Sequence, residues 1–178
     1  MITYLDAEGN PVKRSDGYAT IVRTQVDGRA YDDFYYDLNG QQVQCAGGYY
    51  GLHREFNTEG QNISLTFLDK SGHAVCISSD CAGVTYQRDE NGTVVGEQYA
   101  DADGNPARSS LGQYGESYQH NEQGYISQIT YLDADGNPDP TNAGYTILKR
   151  TYHRDGTADT DMYFDANGNP KTLSLIHI

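Results

Sequence analysis

Glycine recurs along this chain in two interleaved series whose spacing leaves little choice of fold. Gly9, Gly40, Gly72, Gly104, Gly136 and Gly168 stand 31, 32, 32, 32 and 32 residues apart, while Gly28, Gly60, Gly92, Gly124 and Gly156 are 32 apart every time. From each glycine of the second series to the next of the first is 12 residues; from first to second it is 20, or 19 in the opening repeat. A fixed period of this length marks a tandem array in which each repeat is one supersecondary unit.

The neighbours of these glycines say what the unit is. Three residues before each first-series glycine stands an aspartate: Asp6, Asp37, Asp69, Asp101, Asp133 and Asp165. At the first position of a type I turn a carboxylate accepts backbone N–H groups, and a glycine three residues later takes the left-handed conformation that closes the turn. These six aspartates are therefore read as structural turn residues. The second series ends loops such as Asn57-Thr58-Glu59-Gly60 and Asn121-Glu122-Gln123-Gly124, which fit three-residue hairpin connections. The opening repeat has Asp27-Gly28 there, one residue shorter, and Asp-Gly is a preferred two-residue hairpin turn.

Between turns the chain alternates as strands do, for example over Ile129-Thr130-Tyr131-Leu132 and Tyr145 to Tyr152. Each repeat thus supplies two antiparallel strands. The predicted fold is all-β: about five hairpin repeats over residues 1–172, forming an elongated, twisted meander of solenoid type. In the second kind of strand Leu52, Arg54 and Phe56 share a face, as do Leu148, Arg150 and Tyr152, so cation–π ladders are expected. The segments Val12–Asp16, Ala74–Asp80, Ala107–Gly112 and Asp139–Ala143 read as variable loops along one edge, where partner contact would reside.

Composition decides whether such an array folds. Only 31 of 178 residues are Val, Ile, Leu or Phe, against a net charge of −13, a balance typical of disorder. The 16 tyrosines, recurring in register, supply the missing apolar area. The acidic balance argues against nucleic acid, which needs clustered Lys and Arg, and against an anionic membrane surface. No apolar run approaches a membrane span, so no membrane insertion is expected of this segment.

Tyr35-Tyr36-Asp37-Leu38-Asn39-Gly40 and Phe164-Asp165-Ala166-Asn167-Gly168 resemble the core of the YD repeats in RHS-type proteins, and Tyr163-Phe164-Asp165 is similar to the aromatic units of bacterial cell-wall-binding repeats. The resemblance covers the chain apart from its last six residues. It implies an extracellular or cell-surface bacterial protein, with this region serving as a non-enzymatic spacer or adhesion scaffold. It also leaves open a glycan- or cell-wall-binding module and part of an RHS-like toxin shell, with cell-wall glycan or another surface protein as partner. Choline- and glucan-binding repeats rely on Trp, and this chain has none, so no binding residue carries over by name.

Both ends look cut. Ile2-Thr3-Tyr4-Leu5-Asp6 recurs as Ile129-Thr130-Tyr131-Leu132-Asp133, so the chain opens in mid-strand. Residues 173–178, Leu-Ser-Leu-Ile-His-Ile, translate CTG TCT CTT ATA CAC ATC, the adaptor end of transposase-based sequencing libraries, and are read as read-through.

Chemistry-bearing candidates are few. Asp101-x-Asp103-Gly104 and Asp133-x-Asp135-Gly136 suggest calcium loops, but Tyr99 and Tyr131 fill an early ligand position, and Ser110 and Asn142 stand where a bidentate Glu belongs. No metal and no cofactor is expected. Cys45, Cys76 and Cys81 include no Cys-x-x-Cys pair; Cys76 and Cys81 either close a small disulfide loop or stay reduced. The six aspartates are placed alike, whereas a catalytic site needs one asymmetric constellation, so no catalytic residue is assigned and the segment is read as not an enzyme. The remaining candidates are Tyr4, Tyr35, Phe67, Tyr99, Tyr131 and Tyr163, five residues before each first-series glycine. Rings presented every second strand, roughly 9–10 Å apart, either stack on the sugars of a polymer or pack the sheet.

Overall fold

The computed structural model describes residues 1–77 and 81–172; the proposed adaptor segment, 173–178, lies outside them. Among the described residues there is no helix. Twelve strands run β1 Ile2–Thr3, β2 Thr20–Val26, β3 Arg29–Tyr36, β4 Gly51–Phe56, β5 Asn62–Leu68, β6 Gly83–Arg88, β7 Val94–Ala100, β8 Gly115–His120, β9 Ile126–Leu132, β10 Ile147–Tyr152, β11 Ala158–Phe164 and β12 Pro170–Lys171. They form one antiparallel sheet in sequence order, each strand beside its chain neighbours. The all-β hairpin meander expected from the glycine spacing is what the chain adopts. The described residues of 1–85 with 100–105 form one compact unit, and those of 86–99 with 106–172 form a second.

One turn geometry is used throughout. In the Asp6 turn, the Gly9 N–H donates to the Asp6 carbonyl at 3.1 Å and the Asp6 N–H donates to the Asn10 carbonyl at 2.9 Å. Gly9 sits at φ 86°, which makes this a type I turn followed by a glycine bulge. The Asn57, Asp89, Asn121 and His153 loops close with the same pair of bonds. The short opening loop differs as its length requires. Val26 faces Arg29 across the hairpin, and both central residues have positive φ, 49° at Asp27 and 79° at Gly28, the signature of a type I′ turn.

The segments expected to be variable loops are more ordered than that. After each Asp turn the chain returns for a few residues along the strand it has left: the Val12, Val43, Val75, Ala107 and Asp139 N–H groups donate to the carbonyls of Tyr4, Tyr35, Phe67, Tyr99 and Tyr131. A third turn of the same geometry follows, at Arg14–Gly17, Cys45–Gly48, Ser109–Gly112 and Thr141–Gly144. Its opening residue differs in each repeat; at Ser109 the side-chain Oγ accepts the Leu111 N–H at 3.1 Å. The glycines at eight residues past each first-series glycine are its sequence signal, with Asp80 at that position in one repeat, outside the described residues.

A further glycine set opens the strands. At Gly115 an added Cβ would lie 2.5 Å from the Glu97 carbonyl oxygen, so β7 and β8 approach too closely there for any side chain. Gly51 and Gly83 meet the carbonyls of Asp33 and Leu65 in the same way.

Two substitutions separate these roles. Gly136→Val places a β-branched residue at φ 83° and is expected to cost about 1–2 kcal/mol, with amide protection lost around β9 and the following turn and unchanged in residues 1–85. Gly115→Ala is expected to disturb the β7–β8 pairing through backbone contact rather than conformational strain. Residue-resolved hydrogen exchange distinguishes the two, and uniform loss of protection along the chain in either variant would contradict local, hairpin-by-hairpin stability.

Candidate functional site

The six turn aspartates act within their own turns. Asp6 Oδ1 accepts the N–H groups of Glu8 and Asn10 at 3.0 and 2.8 Å, and the same two bonds recur at Asp37, Asp69, Asp101, Asp133 and Asp165. Hydrogen bonds from the residue four places on lead in holding Asp6, Asp69, Asp101, Asp133 and Asp165 below the usual carboxylate range. Among the described residues no group of three or more His, Cys, Asp or Glu is placed to hold a metal ion. Cys45 and Cys81 are buried and Cys76 is exposed.

The aromatic residues are interleaved with a second set that sequence reasoning did not single out. The third turn is followed directly by Tyr18, Tyr49 and Tyr145, and each inserts its ring between two members of the expected column. In the first unit Tyr18 meets Tyr4 at 6.0 Å and stacks on Tyr35 at 4.4 Å, and Tyr49 meets Tyr35 at 5.9 Å and Phe67 at 4.9 Å. In the second unit Tyr145 lies 5.4 Å from Tyr131 and 4.7 Å from Tyr163. Tyr35 and Tyr131 are 5% and 4% exposed, and burial drives the Tyr35 hydroxyl far above its ordinary pKa. Tyr4, Phe67, Tyr99 and Tyr163 are half-buried. Where Tyr18, Tyr49 and Tyr145 stand, the spacing of rings is thus about half what one column alone would give, because each fills a gap in that column. The missed signal was a tyrosine nine residues after a first-series glycine.

Arginines on the same face meet carboxylates rather than ring faces. Asp33, 2% exposed, accepts Arg23 Nε and Nη2 at 2.6 and 2.7 Å and lies 3.0 Å from Arg54 Nη2. Arg150 makes the same two-pronged contact with Asp161 at 2.6 and 2.7 Å. The ladder expected for Arg54 and Arg150 is replaced by these pairs because a fork of N–H donors matches a carboxylate better than a ring. Cation–π contacts occur instead at Arg14 over Tyr4, Arg108 over Tyr114 and Lys149 over Phe164.

One place in the second unit breaks the pattern. Gln113 follows Gly112, where Tyr18, Tyr49 and Tyr145 follow their glycines. It is 2% exposed. Beside it Glu116 takes the second position of its strand, held by Ile21, Leu52, Val84 and Leu148 in β2, β4, β6 and β10. Glu97 lies directly opposite Glu116 across the β7–β8 pair. Tyr99 Oη is 2.6 Å from Glu97 Oε1 and 3.3 Å from Glu116 Oε1; Gln113 Nε2 donates to Glu116 Oε1 at 2.9 Å, and the Tyr118 hydroxyl donates to Glu116 Oε2 at 3.1 Å. This is an asymmetric constellation among the described residues, and Tyr99 is the one member of it that the sequence singled out. Sequence reasoning missed Glu97, Gln113, Glu116 and Tyr118, although a glutamate in a column of aliphatic residues was the available signal.

No protein-family model matches this chain, and no curated protein matches it. Fold and side-chain pattern define a class: an all-β meander of hairpins in tandem. No helix among the described residues is long and apolar enough to cross a membrane.

The Asp33 cluster yields a direct test. Burial pushes the Asp33 carboxyl up, but Arg23 and Arg54 outweigh it and hold the group below 3.8. Its stabilising share is therefore present above pH 3.8 and is lost as pH falls through the lower folded value. Asp33→Asn is expected to destabilise the first unit by about 3 kcal/mol, because two arginines lose their acceptor, and to reduce the acid-induced loss of stability in residues 1–85. Chemical denaturation at pH 7 and pH 3, followed at first-unit amides, measures both.

Proposed function

We propose that this chain is the non-enzymatic repeat region of a secreted or cell-surface bacterial protein, acting as a spacer or adhesion scaffold in the style of YD/RHS-type repeats. The observation that carries this reading is the interleaving of the rings. Tyr18, Tyr49 and Tyr145 occupy three of the gaps in which a sugar ring would have to stack, so the aromatic columns serve cohesion there. The six aspartates are likewise committed to their turns, and those six turns repeat one geometry. A chain that invests its aromatic and acidic residues in repeating one hairpin is suited to setting distance rather than to chemistry.

A second reading, attachment to a glycan, is favoured by one specific feature. Tyr125 and Tyr152 stack at 4.9 Å outside the columns, and Tyr125 is 40% exposed. Asn121, Gln123, His153 and Arg154 line the same groove, offering the amides and charge that fix sugar hydroxyls beside an aromatic platform.

A spacer swap in the parent protein separates the two. Replacing residues 1–172 with an unrelated β-repeat of equal length is expected to preserve the parent protein's surface attachment, and deleting one 32-residue repeat is expected to leave it intact with shorter reach. Loss of attachment on the swap, together with co-sedimentation of the purified chain with insoluble cell wall that Tyr125→Ala abolishes, would replace the scaffold reading with the glycan one.

A further inference from the structure

The carboxylates of the Glu97–Glu116 pair meet hydroxyl and amide donors where Asp33 and Asp161 meet arginine. An acid on this face is met by arginine elsewhere: Asp33 by Arg23 and Arg54, Asp161 by Arg150. Arg23, Arg54 and Arg150 hold the fourth position of β2, β4 and β10, and in β8 that position is Tyr118, a donor without charge. The groups that face Glu116 are Glu97 and Tyr99 from β7, Tyr118 on its own strand, Tyr131 opposite it on β9, and Gln113 from the preceding turn. None of them is cationic. Two like charges directly opposite on an antiparallel pair destabilise it, and burial adds to the penalty.

The polar atoms around Glu116 also lack one donor. Gln113 Nε2 is used on Glu116, and Gln113 Oε1 is left buried with no hydrogen-bond partner. An ionised carboxylate only accepts; a protonated one carries an O–H that donates. A proton on Glu116 therefore supplies what the cluster is short of, reaching either the Glu97 carboxylate or, after rotation of the amide, Gln113 Oε1.

We propose that Glu116 is a proton-operated lock on the β7–β8 pair: in mildly acidic solution it takes one proton from solvent, which removes the repulsion with Glu97 and adds a hydrogen bond, so the joint tightens, and at neutral pH it loosens. The direction of titration agrees. Burial, then the charge of Glu97, raise the Glu116 carboxyl above its ordinary 4.5, against hydrogen bonds from Tyr118, Gln113 and Tyr99 that lower it. A group whose folded pKa is raised favours the folded state most when protonated. The gain is complete below 4.5 and declines as pH rises through the folded value. The turn aspartates Asp101, Asp133 and Asp165 act with opposite sign, losing stability below 3.8, so the lock is visible above pH 4.5.

The test uses the full chain. Thermal unfolding from pH 4.5 to 8, carbon-detected NMR titration of the Glu116 carboxyl, and hydrogen exchange at Gly96–Gln98 and Gly115–Ser117, corrected for intrinsic rates, are measured for the native protein, Glu116→Gln and Glu116→Leu. The native chain is expected to gain about 4 °C or more in the transition of its second unit between pH 7.5 and pH 5, with β7–β8 protection rising in parallel and a carboxyl midpoint above 4.5. Both variants are expected to lose that gain. Glu116→Leu restores the residue type of the sister strands and keeps the test open should Glu116→Gln fold poorly; its pair should be as protected at pH 7.5 as at pH 5. A Glu116 midpoint at or below 4.5, or a pH profile that survives Glu116→Leu, overturns the proposal.

Discussion

A glycine held in the left-handed region after a type I turn reverses this chain again and again, and every other feature depends on that reversal. Fifteen described glycines have positive φ, a conformation that costs other residues about 1–2 kcal/mol. The glycine bulge sets how far each strand returns and on which side its next residues emerge. Because side chains alternate faces with a period of two, an error of one residue in any turn would move a whole strand's apolar set to the wrong face. Asp or Asn at the first turn position stiffens the reversal by accepting the N–H groups two and four residues on.

Constant reversal is what allows a chain this poor in aliphatic residues to cohere. Rings from the strands before the Asp turns and from Tyr18, Tyr49 and Tyr145 after three of the third turns arrive at matching heights and interlock. Tilted and edge-on pairs of this kind contribute about 0.5–1.5 kcal/mol each beyond the area they bury. Asp33, held by Arg23 and Arg54, shows that the same face accepts charge when geometry supplies a two-pronged partner. Glu116 shows the other case, where a carboxylate enters an aliphatic slot and is met by hydroxyl and amide donors instead of a cation. Repetition thus builds the scaffold, and departure from repetition builds the Glu116 cluster.

The strands, the Asp turns and the two-residue Asp27-Gly28 loop were readable from residue types alone, because Asp, Asn and Gly at fixed offsets each carry a local backbone preference. The third turn was not read, since Arg14, Cys45, Ser109 and Thr141 share no such preference and only their later glycines recur. The cluster around Glu116 was not read either. Its members come from two strands and a turn, and which carboxylates face each other depends on register between β7 and β8.

What the sequence by itself determined is the repeat, its hairpin character and its turn chemistry, since these arise from interactions within five residues of backbone. Tertiary structure alone decided which tyrosines interlock, that Arg54 and Arg150 meet carboxylates rather than rings, and that Glu97 and Glu116 stand opposed in a half-buried position. Those outcomes rest on cross-strand register and on the loss of water between neighbouring side chains, and neither is encoded in the local preferences of any single segment.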